Sequence, residues 1–439
     1  MTWSQWSYKA AKKRREQAGI IVNANPPSTG KSFREMRASK EQLMDASELN
    51  DHTVAAMKEK FIQEFGTGKE ISFFRAPARV NIIGEHTDYN NGYVLPIAID
   101  RSIVAAAVKR DDRMFRMRSL NFPEAVTASL DGLKYDLSKG WGNYPLGVAQ
   151  VMEKAGIAVC GADIIFNGNI PLGGGLSSSA AIEVLMANIL LGLTGTTIEK
   201  EQIPVLCKQA ENEFIGVQCG IMDQFISALG KANHAIFLDC GTMDYRHIPF
   251  RMADRVAVIV GNTKVKRELA HSAYNQRVRE CAEAVELLRK QLGRTEINSL
   301  SDIDSEEFTS CKKSLPDLLE KRADHVINEN ARVKEAITAL ENDDMKTLGA
   351  LLLQSHASLR DKYEVSCGEL DHIVESFMSC DGVYGARMTG AGFGGSAIAL
   401  VPTEQKDAVI EQSAKEYKRL TGIDGEFYAC SIADGAGRM

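Results

Sequence analysis

The sequence predicts an α+β fold, and three observations lead to that prediction. The chain has 439 residues, 44% of them hydrophobic, which is enough for two domains with a core in each. Strand-like patterns dominate residues 71–120. A glycine-rich loop at 168–177 then joins a short apolar strand, 162–166, to a helical pattern that begins near Ala180. Strands, then a ligand-binding loop, then helices are the element order of an α+β domain.

The first half of the globular part covers residues 51–250. An amphipathic helix is predicted at 52–65, where it ends at a Gly-Thr-Gly turn. Residues 71–96 have the pattern of a strand, a polar loop and a second strand. Residues 99–120 alternate as two strands around a charged turn. Further helices are predicted at 141–153, after the glycine loop, at 198–214, and from Asp223 to Gly230.

The second half, residues 251–439, repeats the mixture of strands and helices. A second glycine cluster, 385–395, precedes one of its strands. The predicted elements are a strand at 256–260, a helix at 274–291, two helices within 323–363, a strand at 396–401, a helix at 406–417 and a strand at 427–432. Residues 1–50 differ in being polar with a basic run, and they fit a surface-packed extension better than a targeting arm.

Composition excludes several classes of function. The net charge of −6 provides no basic field for nucleic acid or for an anionic membrane. The nine cysteines show no CxxC pair, which argues against a zinc site and suits free thiols in a reducing cytosol. The apolar runs are too short to span a membrane. We therefore expect a cytoplasmic protein, a monomer, with no nucleic-acid or membrane partner.

The glycine loop, Gly168 to Ala181, is the strongest local signal for ligand binding. Consecutive glycines let backbone N–H groups approach a ligand closely, and a helix N-terminus adds unpaired N–H donors, so the natural ligand is an anion such as phosphate. The Lys-Ser/Thr ending of a Walker loop is missing, and the spacing does not fit GxGxxG. Taken alone, the loop is equally consistent with a glycine turn followed by a serine cap.

Polar residues are concentrated in the segment 79–90. Arg79 lies on an apolar strand, where a lone charge is costly, so an anionic partner is expected. Glu85 and Asp88 are acceptors suited to the hydroxyls of a sugar. His86 could act in catalysis, but a hydrogen-bonded structural role is favoured. Asp223, at the start of a helical pattern, is either a helix cap or a site residue, and alone it favours the cap.

Three motifs in series resemble those of the GHMP small-molecule kinases. They are Arg79 to Asn90, Pro171 to Ala181, and the glycines from Arg387 to Gly395. The first motif is similar to that of the galactokinases in particular. The resemblance covers the chain from about residue 52 to its C-terminus. One departure is Ala78, where the family usually has glycine, and a methyl group there should shift packing only slightly.

The resemblance implies a fold and an activity. The implied fold has a mixed-sheet N-terminal domain and a ferredoxin-like C-terminal domain, with the active site in the cleft between them. The implied activity is transfer of a phosphoryl group from ATP, with Mg²⁺, to the anomeric O1 hydroxyl of galactose. By motif position, Asp223 corresponds to the base and Arg79 to the neighbouring cation. The sugar contacts correspond to Glu85, His86, Asp88 and Tyr274. The phosphate loop corresponds to Gly173, Gly174, Gly175, Leu176, Ser177, Ser178 and Ser179, with Ser119 as a further nucleotide contact, and the magnesium ligands to Ser179 and Glu211.

Phosphoryl transfer needs an in-line hydroxyl and neutralised phosphate charge, which the loop N–H groups and Mg²⁺ would supply. If Arg79 pairs with Asp223, the aspartate stays ionised and can take the sugar proton or orient the hydroxyl, and the sequence leaves both descriptions open. Two alternatives to a galactokinase also remain: a non-catalytic galactose sensor that binds a transcriptional regulator, and a kinase for N-acetylgalactosamine or another galactose derivative. The intact Ser179-Ala180 and the presence of Asp223 argue against the sensor.

Overall fold

The structure is a computed structural model that describes residues 51–66, 68–171, 173–265 and 270–439. The predicted extension at 1–50 lies outside the described residues. No helix in the described ranges combines the length and the apolar composition needed to cross a lipid bilayer.

The first sheet forms the base of the molecule's first half. Its strands run in the order β13-β1-β3-β6-β4-β5, and all neighbours are antiparallel except the parallel pair β4 and β6. The strands are β1 (Ser72–Asn81), β3 (Pro96–Lys109), β4 (Met114–Ser119), β5 (Val126–Ser129), β6 (Ala162–Gly168) and β13 (Gly437–Arg438). The two strands predicted within 99–120 exist but do not pair with each other, because β6 lies between them.

Five helices accompany this sheet: the first, third and fifth contact its strands, and the second and fourth pack on the third. They are α1 (Asp51–Phe65), α2 (Asn143–Lys154), α3 (Ser178–Thr194), α4 (Gln202–Ala210) and α5 (Met222–Leu229). Helix α3 is apolar on nearly all sides because it is covered by β1, β3 and the other helices, and it ends at Gly195 in the left-handed conformation. The helix predicted at 198–214 starts four residues later, at Gln202, and its last turn, Glu211–Ile215, is a π-turn that closes at Gly216. That turn brings Glu211 into the interior.

A small second sheet was not predicted. It contains β2 (Tyr93–Val94), β7 (His234–Asp239) and β8 (Tyr245–Pro249), in the order β2-β7-β8. It joins the polar loop after β1 to the last strands of the first half, since β2 follows that loop directly and pairs with β7. The loop itself contains a short 3₁₀ turn at Asp88–Asn90.

The third sheet carries the second half of the chain. Its strands are antiparallel in the order β10-β11-β9-β12. They are β9 (Val256–Asn262), β10 (Gly385–Thr389), β11 (Ser396–Pro402) and β12 (Glu426–Cys430). The helices are α6 (Ala270–Leu292), α7 (Ser305–Cys311), α8 (Asp317–Glu341), α9 (Met345–Ser358), α10 (Gly368–Met378) and α11 (Lys406–Thr421). A second π-turn, Leu359–Tyr363, follows α9. These elements confirm the α+β class.

A shared apolar core connects the two halves. It combines residues from β1 and β3 with residues from β9, β11, α8 and α9, among them Val80, Ile97, Val260 and Ile337. Three further cores lie within the two halves: one around α3, one around α8 and α10, and a smaller one between α1 and the first sheet. The end of β1, the glycine loop and the start of α5 meet above the shared core, and this is where the predicted site residues converge. The domain boundary predicted at residue 250 stays a prediction.

Candidate active site

The centre of the site is an ion pair between Arg79 on β1 and Asp223 in the first turn of α5. Arg79 Nε lies 2.8 Å from Asp223 Oδ1 and Nη2 lies 2.8 Å from Oδ2, which is a bidentate geometry. The Arg79 side chain is 5% exposed and that of Asp223 is 30% exposed, so the carboxylate is the accessible partner. The anionic partner expected for Arg79 is therefore Asp223. No side-chain cap bond is made at the start of α5, so the cap interpretation of Asp223 is wrong.

The glycine loop is fixed through its carbonyl groups. Arg79 Nη1 donates to Gly175 O at 2.8 Å, the Arg79 N–H donates to Leu176 O at 3.3 Å, and Ser396 Oγ donates to Gly174 O at 2.6 Å. Because the carbonyl oxygens are held by the protein, the backbone N–H groups at the start of α3 are left to meet an anion. The loop and the ion pair are thus one rigid unit.

Ser177 connects this loop to the ion pair. Its backbone has φ of 59°, a left-handed conformation that is strained for serine and is common at functional sites. Its hydroxyl donates to Asp223 Oδ2. The capping role considered for these serines is not observed for Ser177, since α3 has no side-chain cap bond. The hydroxyl instead orients the carboxylate.

The second glycine cluster packs against the first. Gly390 has φ of 84°, and a Cβ atom there would lie 2.9 Å from Gly175 O, so only glycine permits this approach. The approach brings the carboxyl end of β10 next to the ion pair. Gly390 and its neighbour Ala391 then line the cavity described next.

A cavity of about 220 Å³ opens beside Asp223. Its size suits a monosaccharide better than a larger ligand. Seven of the predicted site residues line it: Arg79, Glu85, His86, Asp88, Glu211, Asp223 and Tyr274. Glu211 and Cys219 line the same cavity on the side of the π-turn. The structure therefore brings together residues from positions 79 to 274 of the chain.

Glu85 is the most tightly held acceptor in the cavity. Its carboxylate accepts from Asn81 Nδ2 at 3.0 Å, from Thr389 Oγ1 at 3.1 Å and from the Gly390 N–H at 2.6 Å. The guanidinium of Arg387, which is fully buried, lies 3.5 Å from Glu85 Oε1. This arrangement holds the Glu85 carboxylate in one orientation.

Asp88 is enclosed more loosely. Desolvation by the cavity walls, followed by repulsion from Asp223, raises the pKa of the Asp88 carboxyl to about 6. A Cβ atom at Gly220 would lie 1.7 Å from Asp88 Oδ2, so this carboxylate packs directly on the Gly220 backbone. The absence of a side chain at Gly220 is what leaves room for Asp88.

His86 has both ring nitrogens engaged by the protein. Nδ1 lies 2.8 Å from the hydroxyl of Tyr89, and Nε2 lies 3.3 Å from Ala391 O. Burial, supported by the nearby His325, lowers the pKa of His86 to about 3, so the ring is neutral. The favoured structural interpretation fits this geometry, since neither nitrogen is left to donate to a ligand or to take a proton.

A buried acidic cluster lies behind the π-turn. Gln224 Nε2 donates to Glu183 Oε2 at 3.1 Å and to Glu211 Oε2 at 2.6 Å, and Cys219 Sγ lies 3.3 Å from the same Glu211 oxygen. Ser179 also hydrogen-bonds Glu211. Burial raises the pKa of both glutamates, with repulsion from Glu211 adding to it at Glu183 and repulsion from Asp223 adding to it at Glu211. Within the described part of the chain neither glutamate has an ion-pair partner.

This cluster offers the donors that Mg²⁺ prefers. The Ser179 hydroxyl and the Glu211 carboxylate are hard oxygen ligands, and Glu183 Oε1 is a buried oxygen without a hydrogen-bond partner. The described residues contain no group of three or more histidine, cysteine or acidic side chains arranged to hold a metal by themselves. The residues therefore fit an ion that shares its coordination with a phosphate ligand rather than a protein-only metal site.

Ser119 is placed differently from the other predicted residues. It ends β4, opposite Phe166 on β6, the strand that leads into the glycine loop. Its hydroxyl accepts from the Asn121 N–H at 3.1 Å. A nucleotide contact from Ser119 stays a prediction.

Three residues of the site were missed from the sequence: Glu183, Gln224 and Arg387. All three are fully buried. Glu183 follows Ser179 by four residues and therefore lies one turn further along the same helix face. The sequence feature that could have identified it as a site residue was a lone carboxylate in an apolar helix. Gln224 follows Asp223 directly. Arg387 begins the third motif, but nothing local indicates that its partner is Glu85.

Comparisons with known proteins agree with this geometry. The galactokinase galactose-binding signature matches residues 59–109, and the GHMP kinase N-terminal and C-terminal domains match residues 143–231 and 336–419. The galactokinase of Fusobacterium nucleatum is 42% identical over 383 residues, which is 86% of this chain and 98% of that protein. The galactokinase of Staphylococcus carnosus is 44% identical over 386 residues, which is 87% of this chain and 98% of that protein.

Solved structures extend the similarity to the fold. Galactokinase from Lactococcus lactis in complex with galactose has a TM-score of 0.85 and 37% identity, covering 88% of this chain and 100% of that one. A mevalonate kinase with 20% identity has a TM-score of 0.59 and shares the fold alone. The three matching family models, the similar fold of a solved galactokinase and more than 40% identity across nearly the whole length of the relatives show that this chain belongs to the galactokinase family of the GHMP kinases.

Proposed function

We propose that this protein transfers the γ-phosphoryl group of ATP to the anomeric O1 hydroxyl of D-galactose, giving galactose 1-phosphate and ADP. The observation that carries the proposal is the bidentate Arg79–Asp223 pair, with Asp223 as its exposed member, between a monosaccharide-sized cavity and the glycine loop. The galactokinases among its relatives, one of them solved with galactose, support the choice of sugar.

Asp223 would hold the sugar hydroxyl in line with the phosphorus atom. The O1–P bond forms while the bond from the γ-phosphorus to the bridging oxygen breaks, ADP keeps that electron pair, and Asp223 takes the O1 proton. Asp223 orients the hydroxyl before it takes the proton, because bond formation to phosphorus lags in a loose transition state. Arg79 also stabilises the charge that develops between the hydroxyl and the phosphate.

The glycine loop would bind the triphosphate. The N–H groups that begin α3 would donate to phosphate oxygens at the positive end of the helix dipole, while Arg79 and Ser396 hold the carbonyl groups of the loop. The residues that would hold Mg²⁺ are Ser179 and Glu211. When bound, the ion neutralises phosphate charge.

Carboxylate acceptors would bind the sugar hydroxyls, and an aromatic side chain would pack against the sugar. Glu85 and Asp88 offer carboxylate oxygens to neighbouring hydroxyls, and Tyr274 closes one side of the cavity. His86 would contribute the edge of its ring, since both nitrogens are engaged by the protein. We expect the chain to act as a monomer in a reducing cytosol, where its nine free cysteines remain thiols.

The test is a panel of sugars at matched concentration in a coupled assay of ADP release. Galactose should be the best substrate, and product analysis should find the phosphate on O1. Faster turnover of N-acetylgalactosamine or of any other C2-substituted sugar would overturn the choice of substrate. Binding of galactose and ATP without ADP release would instead identify a sensor.

A further inference from the structure

A chain of hydroxyl groups runs from the interior of the C-terminal half to the sugar cavity. Tyr363, in the π-turn after α9, is fully buried, and its hydroxyl lies 2.7 Å from that of Tyr89. Tyr89 in turn lies 2.8 Å from His86 Nδ1. Cys281 Sγ on α6 lies 3.1 Å from the Tyr363 hydroxyl. None of Tyr89, Tyr363 and Cys281 has a role in the mechanism above.

The chemistry of the groups fixes the direction of every bond. Ala391 O can only accept, so His86 Nε2 must carry the hydrogen. Because burial keeps the ring neutral, Nδ1 can only accept, and the Tyr89 hydroxyl must donate to it. The Tyr89 oxygen is then the acceptor for the Tyr363 hydroxyl. The Cys281 thiol completes the chain as donor to the Tyr363 oxygen.

The far end of this chain is rigid. Arg277 Nε donates to Tyr363 O at 2.7 Å, and its Nη2 donates to Glu364 O at 2.9 Å. Arg322 Nε donates to Glu280 Oε2 at 2.8 Å, and its Nη2 donates to Glu364 Oε2 at 2.7 Å. Two buried guanidinium groups therefore hold the turn that carries Tyr363.

The near end is the wall of the cavity. His86 has φ of 62°, which is strained for histidine, so its ring direction depends on the contacts that hold it. Its ring packs 5.6 Å from that of Tyr274, and the Tyr89 ring lies 5.1 Å from the same residue. A change in the tilt of His86 would therefore move both His86 and Tyr274 in the sugar cavity.

We propose that Tyr89 and Tyr363 are positioning residues for sugar recognition: their relay of hydroxyl groups holds the His86 ring as its Nε2–H tautomer against Ala391. The relay sets the shape of the cavity wall rather than taking part in phosphoryl transfer. The inference rests on the proposed function, because it assigns this wall to a sugar.

The experiment compares Tyr89→Phe and Tyr363→Phe with the unaltered protein. Each substitution keeps the ring and removes one link of a buried chain, so the KM for galactose should rise roughly tenfold. The KM for ATP and kcat should stay within about twofold, because the glycine loop and the Arg79–Asp223 pair are untouched. Tyr428→Phe is the matched control, since the Tyr428 hydroxyl on β12 is buried without a hydrogen-bond partner, and its kinetics should not change.

A second readout reports the relay without using activity. In protein labelled with ¹⁵N-histidine, His86, assigned by its loss in His86→Gln, should show a protonated Nε2 and a distinct unprotonated Nδ1. In Tyr89→Phe the two nitrogen signals should move towards each other, because no donor then pins Nδ1. An unchanged galactose KM in both tyrosine variants, equal losses in both KM values and kcat, or an Nδ1–H tautomer in the unaltered protein would overturn the proposal. If galactose proves not to be the substrate, the proposed function fails, and the nitrogen signals still decide the relay.

Discussion

The carboxylates on the two sides of the first turn of α5 differ in whether the protein supplies them with a cation. On one side, Asp223 has the guanidinium of Arg79 as a built-in cation. On the other side, Gln224 bridges Glu183 and Glu211, which have no ion-pair partner in the described part of the chain. A carboxylate with an internal cation is held in place as a charge, whereas a buried pair without one is costly until an external cation arrives. The difference assigns orientation of the sugar to the first side and metal binding to the second.

Substitution of Asp223, on the first side, should have the largest effect on turnover. Asp223→Asn keeps the shape but removes the charge, so kcat should fall by about a thousandfold or more. The buried Arg79 loses its counter-ion, and the free energy of unfolding should fall by about 2 kcal/mol. The measurements are ADP release and urea denaturation.

The matched control for this substitution is Asp163→Asn. Asp163 also makes a bidentate pair, with Arg116 at 2.6 Å, but it lies on β6 away from the cavity. The Asp163→Asn variant should be less stable than the unaltered protein but keep the same turnover per folded molecule. Near-normal turnover in Asp223→Asn would remove Asp223 from the mechanism.

Substitution of Glu211, on the second side, should lower turnover at saturating Mg²⁺ less than Asp223→Asn does. Its effect on stability should be opposite to that of Asp223→Asn. Glu211→Gln should raise the Mg²⁺ concentration for half-maximal activity by roughly a hundredfold. In EDTA its thermal midpoint should equal or exceed that of the unaltered protein, because a buried carboxylate without a cation is removed. A lower midpoint in EDTA, comparable to that of Asp223→Asn, would show that the two sides do not differ.

The pH dependence of sugar binding should report the protonation of Asp88 on the wall of the sugar cavity. The pKa of Asp88 is raised to about 6, so its carboxylate gains a proton as the pH falls through 6 and can no longer accept two hydroxyl donors. The dissociation constant for galactose should therefore rise by about tenfold between pH 7 and pH 5. Calorimetry with galactose is the measurement, and Asp88→Asn should bind more weakly without this dependence. A flat profile in the unaltered protein would contradict the role of Asp88.

The smallest effect is expected from Gly220→Ala. The added methyl group displaces Asp88, so the galactose KM should rise about fivefold while the Mg²⁺ response stays the same. Gly368→Ala is the control, because a Cβ atom at Gly368 meets no atom within 4 Å. A changed Mg²⁺ response in Gly220→Ala would mean that the two sides are coupled.

The sequence predicted the helices and strands with strong periodicity, and it predicted that Arg79 needs an anion. It did not by itself identify Asp223 as that anion, because the two residues are 144 positions apart and only the fold joins them. The resemblance to a family supplied that link. Only weak indications of the buried acidic cluster are present in the sequence: the lone Glu183 in an apolar helix and the single amide of Gln224.

Other features could not be read from local sequence at all. The short strands β7 and β8 pair with each other, and the distant strand β2 joins their sheet through β7. The π-turn at Glu211–Ile215 inserts a residue into a helical pattern that shows no break, since tertiary packing selects it. The relay from Tyr363 to His86 depends on side-chain direction across 274 positions of separation between its two tyrosines.

The return of the chain to its first sheet has a consequence for synthesis. Gly437 and Arg438 pair with Arg75 and Phe74 on β1, and Ala433 donates its N–H to Ala98 O. While the protein is being made, that edge of β1 has no neighbour until residue 438 has left the ribosome. Until then this edge of β1 is open to pairing with another strand, which is a route to misassembly that the short strand β13 closes in the folded protein.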